Sequence, residues 1–132
     1  MPIELEMVLR LLLAAALGSI IGFQREKADK PAGIRTHSLI CVGAATFTVA
    51  SALGFVGADP TRIAAGIVAG IGFLGAGAIV RSGEGIVAGL TTAATIWAVA
   101  GIGLAAGAGM YVIAPAATAI VLIILLIPHT IG

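Results

Sequence analysis

The chain has 132 residues, 60% of them hydrophobic and 10% charged, with a formal net charge of +1 and a mean hydropathy of +1.18. A water-soluble domain carries about 25% charged residues on the surface it shows to water, so these figures exclude a soluble enzyme or binding module. A charge so near zero also excludes any general attraction to nucleic acid, and the chain reads as an integral membrane protein.

The amino terminus, MPIELEMVLR, places Glu4 and Glu6 ahead of its first positive charge. It lacks the basic start and small-residue cleavage site of a secretory signal, so the first apolar segment is expected to be retained. A hydrocarbon core about 30 Å thick takes roughly 17–25 apolar residues of helix. Five stretches reach that length, at about Leu5–Phe23, Ser38–Phe55, Arg62–Val80, Ile86–Ala106 and Met110–Ile127. They are helices rather than strands, because lipid leaves no backbone group unsatisfied and the runs show no period of two. The predicted class is an all-α polytopic membrane protein of about five transmembrane helices in a Gly-rich, tightly packed bundle. Residues 1–132 form a single domain, and no soluble carboxy-terminal domain is expected in this chain.

The one substantial polar connector is QREKADKPAGIRTH, residues 24–37; VGADPT, RSGEG and GAG read as tight turns. In VGADPT, Asp59 followed by Pro60 is a helix start, with a carboxylate to cap free N–H groups and a proline suited to the first helical position. Arg25, Lys27, Lys30, Arg35 and Arg81 fall on one side of a five-span topology, against Arg62 on the other and Arg10 within the first helix. Excess Lys and Arg marks the cytoplasmic side, which puts the amino terminus outside and the carboxy terminus in the cytoplasm.

Residues 70–77, GIGFLGAG, match the dinucleotide pattern G-x-G-x-x-G letter for letter. The pattern holds a phosphate only after a strand and with an acid about 20 residues on. Here it lies within an apolar span, and the next acid is Glu84. Membrane physics gives those glycines two other uses. Gly66, Gly70, Gly72, Gly75 and Gly77 can bring helix backbones close together, within one subunit or between subunits. Alternatively, they can mark a locally unwound third helix whose carbonyls line a cavity. The GxxxG spacing recurs at Gly18/Gly22, Gly85/Gly89 and Gly103/Gly107.

Arg10 can snorkel to the outer interface or pair with Glu6 or Asp59. Arg25, Glu26, Lys30, Arg35, His37, Arg81 and Glu84 converge on the inner side if the helix ends meet, forming either an anchoring network or a binding site. No metal centre is expected: too few carboxylates gather for magnesium, and His37 with Cys41 lacks a third ligand for zinc. No catalytic residues and no cofactor are predicted, since no nucleophile and base share a plausible surface. Cys41 is alone, so no intrachain disulfide forms. Thr91, Thr92 and Thr95 supply hydroxyls to hydrogen-bond across helices or to line an ion path, and Trp97, near mid-membrane, is expected to pack.

The segments GFQREKADKPAGIRTHSLICVGAA, RIAAGIVAGIGFLGAGAIVRSG and GLTTAATIWAVAGIGLAAGAG, in this order and at this spacing, resemble the membrane domain of the MgtC/SapB family of bacterial inner-membrane proteins. The resemblance covers nearly the whole chain. It implies five helices with a periplasmic amino terminus and a cytoplasmic carboxy terminus. It also implies a link to growth at low magnesium, to virulence through survival inside macrophages, and to inhibition of the F-type ATP synthase through a membrane contact. At matching positions it points to Arg25, Glu26, Lys30, Pro31, Gly33, Arg35, Thr36 and His37 in the inner connector. Asp59, Arg62, the glycines 70, 72, 75 and 77, Arg81, Gly83, Gly89, Thr91, Thr92 and Trp97 match as well.

Two functional expectations follow. The first is a non-enzymatic regulator acting by helix–helix contact in the lipid bilayer, a homo-oligomer (a dimer first), with a membrane partner such as the ATP synthase. The second is a small transporter or channel for Mg2+, another cation or a solute, with a broken third helix and the inner charges as its gate.

Overall fold

The computed structural model describes residues 2–57, 59–82 and 89–128, with residues 80–82 described by their backbone alone. Five helices follow one another: α1 (Ile3–Lys27), α2 (Ile34–Leu53), α3 (Thr61–Ser82), α4 (Leu90–Gly107) and α5 (Ile113–Leu125). The first four are long and apolar enough to cross a membrane, whereas α5 has only 13 residues. The chain is thus a multi-pass helical membrane protein, and among the described residues there is no strand.

Helix ends explain where the boundaries differ from those read in the sequence. α1 runs on to Lys27 and closes in a Schellman motif: the Lys30 N–H donates to the Arg25 carbonyl and the Asp29 N–H to that of Glu26. Asp29 takes the left-handed position, with φ 58°, where Asp is one of the few tolerated non-glycine residues. The same motif ends α4, with Gly109 left-handed, the Met110 N–H on the Ala105 carbonyl and the Gly109 N–H on that of Ala106. The chain therefore turns sharply at GAG, and α5 starts afresh at Ile113 rather than continuing α4. α2 begins four residues earlier than its apolar run suggests, because Arg35, Thr36 and His37 form its first turn.

Glycine contacts set the closest helix pairs. A β-carbon on Gly22 would lie 2.5 Å from Ile34 Cα, and one on Gly18 would lie 2.6 Å from the His37 carbonyl oxygen. Gly103 and Gly107 rest in the same way on the Cys41 and Ala45 carbonyls of α2. Two GxxxG pairs thus seat α1 and α4 against α2, where both meet Cys41, with packing contact replacing the hydrophobic drive that lipid does not supply. Ala14, Leu17, Ile21, Cys41, Ala45, Val99, Ile102 and Ala106 fill the core around these seams.

α3 stands at the periphery. It meets α4 through Ile71 against Ile96 and Ala100, and only 6% of its membrane window is buried. The tight packing read from the glycine content therefore belongs to α1, α2 and α4. Trp97 departs from expectation too: it is 61% exposed, since it borders an open groove between α3 and α5 with no helix across it.

The start of α3 is capped as the Asp59–Pro60 pair predicts. Asp59 Oδ1 accepts from the Thr61 hydroxyl at 2.7 Å and from the Thr61 N–H at 3.0 Å. These two bonds, the hydroxyl first, hold the Asp59 carboxyl below its ordinary range. A carboxyl depressed by folding stabilises above its unfolded pKa of about 3.9 and loses that contribution as pH falls through the folded value. Acidification through that window should fray the first turn of α3, and Asp59→Ala should do so at neutral pH. Faster amide exchange at residues 61–64 reports both effects, and Asp59→Asn should retain most of the protection.

Candidate functional site

Both ends of the bundle and one helix face carry the residues singled out by the sequence. At the end where α1 starts, Arg10 collects three partners: the Glu6 carboxylate at 2.5 Å, the Gly107 carbonyl at 3.0 Å and the Tyr111 hydroxyl at 3.1 Å. Its Cζ also sits 5.9 Å from the centre of the Tyr111 ring, within cation–π range. Of the two carboxylates open to Arg10 on sequence grounds, the structure brings it Glu6, while Asp59 serves α3. Arg62 is exposed and borders the groove between α2 and α3. Sequence reasoning missed Tyr111; the available signal was a lone tyrosine just beyond the turn that ends α4.

At the opposite end, Arg25, Glu26, Lys30, Arg35 and His37 gather around the α1–α2 connector. Glu26 folds back so that its carboxylate accepts from the Ile34 N–H at 3.1 Å, capping the first turn of α2. His37 is wholly buried, and its Nδ1–H donates to the Gly33 carbonyl at 3.1 Å. Arg25 turns inward, 4% exposed, and its Nη2 donates to the hydroxyl of Thr92, 67 residues away in sequence. Lys30 and Arg35 remain exposed. Ala32, between them, adopts a left-handed φ of 61°, a conformation that costs alanine about 1–2 kcal/mol and which the surrounding turn must impose. Arg81 lies in the last turn of α3 with its backbone alone described, while Gly83 and Glu84 lie outside the described residues. Among the described residues no three His, Cys, Asp or Glu side chains converge as metal ligands do.

The three threonines separate on α4. Thr92 takes the Arg25 hydrogen bond, Thr95 returns its hydroxyl to the Thr91 carbonyl at 2.7 Å, and Thr91 is exposed.

α3 is one continuous helix from Thr61 to Ser82, which removes the broken third helix from the transporter reading. Glycine lacks a side chain but keeps its N–H and C=O, and in lipid those groups have no better partner than the helix itself. At about 100° per residue, Gly66, Gly70 and Gly77 fall on one stripe, with Gly75 and Gly72 on other faces. Accordingly, a β-carbon on Gly75 would meet Ala93 of α4 at 3.6 Å, whereas Gly66, Gly70, Gly72 and Gly77 have nothing within 4 Å. Gly66 and Gly70 line an apolar groove of about 510 Å³ whose other wall is α2, through Leu39, Gly43 and Phe47.

These features define a polytopic α-helical membrane protein with small-residue seams inside and a glycine-bearing peripheral helix outside. A family model described as the MgtC family matches residues 11–132, and the chain belongs to that family. It is 52% identical over 111 residues to MgtC of Brucella abortus, covering 84% of this chain and 45% of that protein. It is 50% identical over 115 residues to MgtC of Salmonella typhimurium, covering 87% and 49%. It is 45% identical over 132 residues to YhiD of Escherichia coli O157:H7, covering 94% and 61%. The chain thus spans between 45% and 61% of the length of these relatives. No solved structure matches it.

Proposed function

We propose that the chain is a non-enzymatic membrane regulator that works by helix–helix contact, with the glycine stripe of α3 as its contact surface. The observation that carries this reading is the open space over Gly66, Gly70 and Gly77 on the least buried of the four long helices. Exposed Leu, Ile or Phe needs no explanation in lipid, because acyl chains solvate them. Glycine on an exposed helical face is different: it costs about 1 kcal/mol of helix propensity relative to alanine, and what it offers in exchange is close approach by another backbone. Gly43 and the groove beside it extend the same small-residue surface onto α2.

The finer content of the proposal comes from the family resemblance. The setting is the bacterial inner membrane, with the end bearing Arg25, Lys27, Lys30 and Arg35 in the cytoplasm and the amino terminus in the periplasm. The role is adaptation to low magnesium and survival inside macrophages. The contact is with a second copy of the chain or with the membrane sector of the F-type ATP synthase. Gly66→Leu and Gly70→Leu should each cut association at least tenfold. The readouts are in-membrane disulfide crosslinking between copies and co-purification of the ATP synthase. Gly72→Leu, on a different face, should leave both readouts intact. Unchanged crosslinking and co-purification in both stripe variants sinks the proposal.

A further inference from the structure

A cavity of about 600 Å³ opens at the basic end, between the last turn of α1, the first turn of α4 and the last turn of α5. We infer that it is an anion site for a phosphate-bearing ligand, held by Arg25 and the start of α4.

Arg25 provides the first observation. Its side chain lines the cavity and is 4% exposed, yet its Nε–H has no partner. Among the described residues the one ion pair is Arg10 with Glu6. The two arginines of α1 are therefore unlike: Arg10 has a carboxylate one turn before it, while the residue one turn before Arg25 is Ile21. A guanidinium does not shed its proton in a protein, and one held out of water, with no carboxylate against it among the described residues, is unfavourably placed. An anion in the cavity removes that penalty.

The start of α4 is an independent second observation. Gly89, left-handed at φ 90°, brings no side chain, and no side chain caps this 18-residue helix among the described residues. The first intrahelical bond runs from the Ala93 N–H to the Gly89 carbonyl, so the N–H groups ahead of it lack intrahelical acceptors. They lie at the positive end of the helix dipole, where anions bind. Thr92 connects the two features. It accepts from Arg25 and itself lines the cavity.

Lys30 and Gln24 also line the cavity, and the Gln24 Oε1 has no partner; a half-turn of the amide would present its NH2 instead. Asp29 is the one carboxylate among the described lining residues, and it is exposed. Donors thus approach from α1, from α4 and from the connector. That spread suits a tetrahedral phosphate with several acceptor oxygens better than a planar carboxylate with two. The phosphate can belong to a phospholipid headgroup or to a soluble ion, and the experiment separates the two.

The full chain is purified in detergent and reconstituted in phosphatidylcholine nanodiscs. Native mass spectrometry reads retained dioleoylphosphatidylglycerol, and thermal shift reads added inorganic phosphate. Wild type should retain phosphatidylglycerol against excess phosphatidylcholine, or gain thermal stability with phosphate. Retention alone assigns the site to a lipid headgroup, and a phosphate shift assigns it to a soluble anion. Arg25→Gln should weaken the positive readout at least tenfold, while Arg35→Gln, which removes an exposed charge from the same end, should not. Should Arg25→Gln fail to fold, Lys30→Gln on the exposed connector should still weaken binding about threefold. No binding of either probe by wild type overturns the inference. So does wild-type binding by Lys30→Gln together with a folded Arg25→Gln.

Discussion

Replacing Gly103 by leucine should destabilise the fold by about 3 kcal/mol, the upper end of what overpacking costs in a close-packed interior. A side chain there would run into the Cys41 carbonyl oxygen and come within 3.0 Å of Ala44 Cβ. Neither obstacle can swing aside, because one is backbone and the other is the methyl of a buried alanine with no rotamer to change. Relief comes only from separating α2 and α4, which opens the seam along Gly107 as well. Gly101, two residues earlier on the same helix, has nothing within 4 Å, so Gly101→Leu should shift stability by less than about 0.5 kcal/mol. Unfolding in mixed micelles with rising dodecyl sulfate, followed by circular dichroism, measures both variants. Equal losses for the two would mean that α2 and α4 are not in contact as described.

The second large effect is expected at the other end of the bundle. Arg10→Ala should cost about 2 kcal/mol, most of it from the part-buried hydrogen bond to the Gly107 carbonyl. The ion pair with Glu6 contributes less, since that carboxylate is 36% exposed and water competes for it. Arg10→Lys should recover only part of the loss, because a single ammonium cannot span Glu6, Tyr111 and a backbone carbonyl as a planar guanidinium does. Loss of this clamp frees the turn between α4 and α5 from α1. Amide exchange at residues 108–112, which form that turn, should therefore be slow in the wild type and clearly faster in Arg10→Ala.

What the sequence made legible follows from what lipid demands. Four apolar runs with few charges became the four long helices, and Asp59–Pro60 marked the start of α3 because a cap is a local matter of one carboxylate and the next turn. Gly18/Gly22 and Gly103/Gly107 carried the right spacing for close packing. Gly66/Gly70, leading into GIGFLGAG, carried it as well, and spacing alone cannot say which of several glycine stripes a neighbouring helix will cover. Arg25 was visible as one of a group of connector charges, but its inward turn to Thr92 was not, since a contact across 67 residues depends on how α1 and α4 are seated on α2. His37 read as connector and became buried because Gly18 and Gly22 let the start of α2 lie against α1. Trp97 read as core because mid-membrane was equated with inside, although a residue at that depth can equally face acyl chains.

The brevity of α5 has a consequence for the surrounding membrane. Thirteen residues rise about 20 Å, some 10 Å less than an average hydrocarbon core, while the 25 residues of α1 rise nearly twice as far. A bilayer of uniform thickness cannot match both. Where α5 crosses, the leaflets can pinch in beside it and relax again along α1, which would set the protein in a lopsided dimple, unless another helix comes up against α5 instead. Such dimples attract one another, because sharing a thinned rim disturbs less lipid than maintaining two. Bilayer thickness therefore becomes a determinant of where in the membrane this protein gathers, and of which neighbours it meets there.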